Sequence, residues 1–323
     1  MKVALIGSGG IGAVHAQMAT NCGLTIAACG DTIAEKANAL AQRFGAEATT
    51  DCEALIQQDD IDIVAIATPT PTHAHYVVKA AQAGKAIFCE KPFCRTLEQC
   101  EAAIEAVKTA GVKLFIAHVV RYFHEFEAIK AQIEGGQIGR PGFVKCYRGG
   151  IYPMGENGWF RDYAQSGGVT LDSSVHDFDW VRYVFGDPER VYCQALQRPE
   201  PLDYALTTFR MKSGIIAHVI GTWAHPTGFR VKVEVCGDNG MVTFDSNEAP
   251  LEVMKRATEG SGPSMIVPGS PVAVSPYQRE WEDFIAWLRE ERPPRVTPED
   301  GAWSLRMALG ALESAASGEP VTF

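Results

Sequence analysis

Val3-Ala4-Leu5-Ile6-Gly7-Ser8-Gly9-Gly10-Ile11-Gly12 is the stretch whose reading decides the fold. Four aliphatic residues make a short buried strand by composition, and the six that follow spell G-x-G-x-x-G. Ile11 to Cys22 then reads as a helix. Each glycine answers a separate demand: Gly7 allows the tight turn, Gly9 lets backbone approach a pyrophosphate, and Gly12 permits close packing of helix on strand. The helix start offers unpaired N–H groups and a positive dipole end to an anion. In isolation the motif is weak evidence. Between a strand and a helix it predicts a dinucleotide-binding turn through Gly7, Ser8, Gly9, Gly10, Ile11 and Gly12.

The next strand, Leu24 to Cys29, ends at Gly30-Asp31, and Asp31 lies 19 positions beyond Gly12. That is close to the spacing of about 20 expected for a carboxylate gripping a ribose 2′-OH. Such a carboxylate repels a 2′-phosphate, and Thr32 rather than Arg or Lys follows it, which favours NAD over NADP. An ordinary turn aspartate is the alternative. Helices at Ile33 to Phe44 and, started by an Asp51 cap, at Asp51 to Gln57 precede a strand at Ile61 to Ala67. That strand ends in Thr68-Pro69-Thr70-Pro71-Thr72-His73, and helix resumes from Ala74 to Ala83. Thr68, Pro69 and His73 thus belong to a second strand tip facing the dinucleotide, although a histidine at a helix start also serves as a cap or surface residue.

Ala86 to Cys89 is a further buried strand, with Glu90-Lys91-Pro92 at its carboxyl end, the edge where open α/β sheets bind ligands. A lysine there is open to partial desolvation, which lowers its pKa. Pro92 restricts the backbone of Lys91 to extended conformations and narrows the directions of its side chain. A surface lysine in a turn is the plain alternative. Thr96 to Ala110 is a long helix ended by Gly111, and Val112 to Ala117 is the last strand of the alternating pattern. Right-handed crossovers make residues 1–118 a doubly wound parallel sheet, a Rossmann-type NAD-binding domain.

From 119 to 323 the pattern changes. After a helix at Glu125 to Glu134, strand signals recur at Phe143 to Arg148, Val191 to Leu196, Tyr204 to Met211, Ile215 to Trp223, Phe229 to Cys236 and Met241 to Phe244. Lys212-Ser213-Gly214 and Gly237-Asp238-Asn239-Gly240 are hairpin chemistry, so a mostly antiparallel sheet is expected. Gly260 to Pro276 reads as a loop or arm. Tyr277 to Glu290 is an amphipathic helix, and Thr297-Pro298-Glu299-Asp300 starts a last helix reaching about Ala316.

Composition narrows the function classes. A net charge of −10 with no basic run argues against a nucleic-acid surface. Nine scattered cysteines without a C-x-x-C pair suit a reducing compartment. The first residues run into a strand without a signal-peptide profile, and no apolar stretch nears the roughly 20 residues of a membrane span, which makes the cytoplasm the expectation.

Ser166-Gly167-Gly168-Val169-Thr170-Leu171-Asp172-Ser173-Ser174-Val175-His176-Asp177 is the second chemical segment. On a helix, Asp172 and His176 share a face, so carboxylate and imidazole can address one ligand. A surface ion pair is the bland reading. No surrounding cluster of Cys, His or Glu supports a metal.

The ordered set of G-x-G-x-x-G, Asp31, Thr68-Pro69 with His73, Glu90-Lys91-Pro92, Arg121-Tyr122, Gly167-Gly168 and Asp172-x-x-x-His176 resembles the glucose–fructose oxidoreductase / inositol dehydrogenase family (Gfo/Idh/MocA). The likeness runs to Glu313-Ser314-x-x-Ser317-Gly318-x-Pro320-Val321, essentially the whole chain, with Ser166 where the family usually has a third glycine. The resemblance implies a Rossmann domain followed by an α/β domain with a large open sheet, whose free face is often buried in homodimers or homotetramers. It implies catalytic roles for Lys91, Asp172 and His176, dinucleotide contacts that include Glu90 and Lys91, and substrate contacts from Arg121, Asn157, Asp172, Ser173 and His176. The expected reaction is oxidation of a secondary alcohol of a sugar or cyclitol, with hydride passing to NAD. His176 or Lys91 then acts as base within a coupled set. The alternatives are NAD-assisted cleavage of a glycoside by redox elimination and a non-catalytic NAD-sensing protein. The loop from Ile151 to Tyr163, with Tyr152, Asn157, Trp159 and Phe160, suits a carbohydrate ring or a subunit contact.

Overall fold

The computed structural model describes residues 1–198, 202–248 and 274–323. They fall into two compact units: Met1–Val119 with the described part of 256–302, and the described part of Val120–Lys255 with Trp303–Phe323.

In the first unit, strands and helices alternate as β1 (Lys2–Ile6), α1 (Gly10–Asn21), β2 (Thr25–Gly30), α2 (Ala34–Phe44), β3 (Glu47–Thr49), α3 (Cys52–Ile56), β4 (Ile63–Ile66), α4 (His73–Gln82), β5 (Ala86–Glu90), α5 (Leu97–Ala110) and β6 (Leu114–Ala117). The six strands are parallel in the order β3-β2-β1-β4-β5-β6, the doubly wound sheet read from the sequence. Val3 to Ile6 and all of β4 are buried, as strands covered by helices on both faces must be. Thr96 starts α5 with a capping box shared with Gln99. Asp51 caps α3 by accepting from the Ala54 amide.

The rest of the chain gives α6 (His124–Glu134), β7 (Pro141–Ile151), α7 (Tyr163–Ser166), α8 (Gly168–Asp172), α9 (Val175–Phe185), β8 (Pro188–Arg198), β9 (Leu202–Met211), β10 (Ile216–Thr222), β11 (Ala224–Gly237), β12 (Gly240–Asp245), α10 (Pro276–Leu288), α11 (Pro298–Ser317) and β13 (Val321–Thr322). Its seven-stranded sheet runs β12-β11-β7-β10-β9-β8-β13. β7 and β10 pair in parallel, and the other neighbours are antiparallel. Gly237 faces Gly240 across the hairpin, which leaves Asp238-Asn239 as a two-residue turn. Along β9, Asp203, Ala205, Thr207, Phe209 and Met211 are buried while Tyr204 and Arg210 are exposed, so one face of the sheet is covered and the other open. Phe178 of α9 packs edge-on against Phe209 at 5.0 Å on the covered face.

The structure differs from the sequence reading in three places. Asp172 and His176 lie on two short helices, not one. At the Ser173-Ser174 junction the Ser174 amide reaches back to the Val169 carbonyl at 2.8 Å, which interrupts the regular ladder. α10 packs within the first unit: Trp281 stacks on Phe88 of β5 at 4.2 Å and 4°, and Phe284 meets Phe88 and Phe115 edge-on or tilted. The loop expected over Gly260 to Pro276 lies outside the described residues as far as 273, and Pro276 is already the first residue of α10.

Candidate functional site

The glycine-rich turn is built as its spacing demands. Gly7 has φ +97°, and a Cβ there would lie 2.5 Å from the Ala67 carbonyl oxygen. A Cβ on Gly12 would meet the Gly7 carbonyl oxygen at 2.0 Å, so helix and strand approach as closely as backbone permits. On Gly9 and Gly10 a Cβ would meet nothing within 4 Å. Among the described residues the space above the turn is therefore open, and no side chain caps the N-terminus of α1. The Ser8 amide donates to Asp31 Oδ2 at 2.8 Å and the Ile33 amide to Oδ1 at 2.9 Å, which fixes the carboxylate beside the turn. Open amides at a helix start with a carboxylate at this position are the donor and acceptor set that a dinucleotide with a free 2′-OH requires. Thr68 is partly exposed and its hydroxyl accepts from Thr72 at 2.7 Å, while Pro69 is exposed.

His73 is 1% exposed. Its Nδ1 lies 2.8 Å from the Pro92 carbonyl oxygen and its Nε2 lies 2.8 Å from that of Thr68. Burial pushes the ring's pKa down, against the pull of the two carbonyls. This ring ties the tip of β4 to the turn after β5, a backbone role that accounts for the side chain without a cofactor contact.

Glu90 at the end of β5 is also buried, with Oε1 at 2.7 Å from His15 Nε2 and Oε2 accepting the Lys91 amide at 3.0 Å. Burial would raise its carboxyl, but the His15 hydrogen bond and the nearby Lys91 charge bring it below the usual carboxylate range. Lys91 itself is partly exposed. The sequence reading placed Glu90 among the cofactor contacts; in the fold its carboxylate holds α1 and the backbone of Lys91.

In the second unit, Gly167 and Gly168 have φ +68° and +63°, and a Cβ on Gly167 would lie 2.5 Å from Leu171 Cβ. The Ser166 hydroxyl is used here: it donates to the Phe160 carbonyl at 2.9 Å and accepts the Gly168 amide at 3.1 Å. Asp203 of β9 accepts the Val169 amide at 2.7 Å and so anchors the start of α8. Burial pushes its carboxyl up to about 6. Arg148 of β7 grips Asp177 of α9 with bonds of 2.7 and 2.9 Å, both side chains buried. Asp172, Ser173 and His176 are partly exposed.

Arg121 is buried and donates to both oxygens of Asp179 at 2.8 and 2.7 Å, with its guanidinium 4.4 Å from the Tyr183 ring centroid. A structural role inside the second unit thus accounts for it. The side chain of Asn157 lies outside the described residues. Among the described residues no group of three or more His, Cys, Asp or Glu is placed to hold a metal ion, and no helix is long and apolar enough to cross a membrane. His15, Trp281, Asp177 and Asp203 were missed as supporting residues. His15 lies only three residues beyond Gly12, but like the other three it acquires its partners through tertiary packing alone.

Residues 1–118 match the model of the Gfo/Idh/MocA oxidoreductase family, NAD-binding Rossmann fold, and residues 126–243 match a Gfo/Idh/MocA C-terminal domain. A myo-inositol 2-dehydrogenase of Thermotoga maritima is 28% identical over 325 residues, covering 97% of this chain and 96% of the relative. A 1,5-anhydro-D-fructose reductase of Ensifer adhaerens is 30% identical over 301 residues, covering 89% and 88%. A levoglucosan dehydrogenase solved in complex with NADH and L-sorbose superposes with a TM-score of 0.86 at 25% identity, covering 100% of this chain and 98% of that one. The chain belongs to the Gfo/Idh/MocA family of NAD-binding oxidoreductases.

Proposed function

We propose that the protein is an NAD-dependent dehydrogenase acting on a secondary alcohol of a sugar or cyclitol, with residues 1–118 as the NAD-binding domain, α10 packed within it, and the rest of the chain beyond 118 as the substrate-binding domain. The observation that carries the reading is a contrast in exposure. Lys91, Asp172 and His176, to which the resemblance assigns the chemistry, are partly exposed, while Glu90, Asp177 and Asp203 beside them are buried and bonded. By their names, the similar proteins given above act on myo-inositol, 1,5-anhydro-D-fructose and levoglucosan, which supports a hydroxylated ring as the substrate class.

Bound NAD supplies the hydride acceptor. His176 takes the proton of the reacting hydroxyl, and Lys91 donates a hydrogen bond to the same oxygen and stabilises its developing charge. Asp172 orients the base and accepts from a neighbouring hydroxyl. Gly9 and Gly10 admit the pyrophosphate, and Asp31 binds the ribose diol and disfavours a 2′-phosphate. We assign the protein to the cytoplasm. The open face of the second sheet, with Tyr192, Leu196, Tyr204 and Ile216 each at least 38% exposed, is where we place a homo-oligomer contact.

The test is NADH formation across a panel of inositols, hexoses and sugar acids. Absorbance growth at the NADH band with one class of polyol supports the reading. Sugar release from a glycoside without net NADH supports redox elimination instead, and NAD binding with neither outcome supports a sensor.

A further inference from the structure

Three buried side chains from distant parts of the chain meet behind Lys91: Trp281 of α10, His15 of α1 and Glu90 of β5, which are 0%, 1% and 6% exposed. The Trp281 Nε1 lies 3.3 Å from His15 Nδ1, and His15 Nε2 lies 2.7 Å from Glu90 Oε1. An indole N–H only donates, so Nδ1 of His15 is the acceptor. The ring proton then sits on Nε2 and is donated to the carboxylate. The remaining oxygen, Oε2, accepts the backbone N–H of Lys91 at 3.0 Å. Each link specifies the next: the opposite tautomer would set a lone pair against the Glu90 carboxylate and release it from α1. The ring is also held in place edge-on to Phe88 at 4.9 Å and to Trp281 at 6.3 Å.

We infer that His15, fixed in one tautomer by Trp281, is a positioning residue for Lys91 and acts through Glu90. The inference rests on the reading of Lys91 as the amine that meets the substrate oxygen, and it gives α10 a part in that site. A displacement of about 1 Å at a reacting group costs on the order of 100-fold in rate, so losing this support lowers turnover without touching any ligand directly.

The experiment uses the full chain with His15→Phe, which keeps a ring against Phe88 and removes both nitrogens, and His15→Gln, whose amide can still donate to Glu90. The expected result is a kcat about 10–100-fold lower for His15→Phe, KM for NAD and for the polyol within about threefold of wild type, and partial recovery of kcat in His15→Gln. Nitrogen-15 NMR of histidine-labelled protein is a second readout independent of turnover and of the folding of those variants. It should find His15 protonated on Nε2 and bare on Nδ1, with that pattern lost in Trp281→Phe. A lowered Tm with unchanged kcat in His15→Phe, or a proton on Nδ1 in the wild type, would overturn the inference. Wild-type protein that reduces no NAD with any polyol would instead sink the reading of Lys91, with the nitrogen pattern still deciding the hydrogen-bond chain.

Discussion

Arg121 and Asp179 meet side-on in the interior of the second unit, Nε to Oδ2 at 2.8 Å and Nη2 to Oδ1 at 2.7 Å. The side chains are 2% and 1% exposed, so the fork of the guanidinium is committed to this carboxylate. Breaking a buried pair by removing one partner costs about 3–5 kcal/mol. Asp179→Asn should therefore lose about that much in urea unfolding, with KM for the polyol little changed in the folded fraction. A stable variant with a raised KM would instead return Arg121 to the substrate contacts.

Two glycines of one motif should fail in different ways. Gly12→Ala drives a methyl to 2.0 Å from the Gly7 carbonyl oxygen, and a loss of folded protein is expected. In Gly9→Ala the methyl enters open space at an ordinary extended backbone angle, φ −77°. That variant should keep its Tm and lose NAD affinity by at least about tenfold in calorimetric titration, because the methyl occupies the approach of the pyrophosphate. Equal NAD affinity in Gly9→Ala would place the dinucleotide elsewhere.

Asp31 should set the choice of cofactor. A hydrogen bond to a charged group contributes about 1.5–3 kcal/mol, which is roughly 10- to 100-fold in affinity. Asp31→Ser combined with Thr32→Arg should raise the NADP-to-NAD ratio of kcat/KM by at least about tenfold. An unchanged ratio contradicts the assignment.

Asp203 should leave a mark on stability against pH. Burial raises its carboxyl from 3.8 to about 6, so the folded chain holds this proton to higher pH than the unfolded chain does. Its contribution is complete below about 3.8 and is lost as pH rises through about 6. Asp203→Asn keeps an acceptor for the Val169 amide and cannot ionise. From about pH 4 to about pH 7, wild type should lose on the order of 2 kcal/mol relative to the variant. Denaturant titrations at several pH values check this, and parallel curves would contradict it.

The parts of the fold legible in the sequence are those fixed by neighbours along the chain. Val3 to Gly12 carries its own turn chemistry, and Gly237 to Gly240 specifies its hairpin. Tertiary partners left no local sign. β3 is three residues long and pairs with β2 through Ala28 to Gly30. β13 is two residues long and pairs with β8. Trp281 reads as one apolar position of an amphipathic helix, and only packing shows that its ring lies on Phe88 and its N–H on His15. Arg121 and Asp179 are 58 residues apart, so spacing alone gave no reason to pair them. The partly exposed Lys91, Asp172 and His176 were read from ordered motifs, and Glu90 with them, but Glu90's hold on the Lys91 backbone and the buried bonds of His15, Asp177 and Asp203 were not.

Lys91 carries the central claim, and turnover of Lys91→Ala beside wild type, under saturating NAD and the best polyol of the panel, tests it most directly. Loss of several orders of magnitude in kcat with NAD affinity retained is the expected result, since the variant lacks the donor that stabilises charge on the substrate oxygen. Near-normal kcat in the same preparation would contradict it.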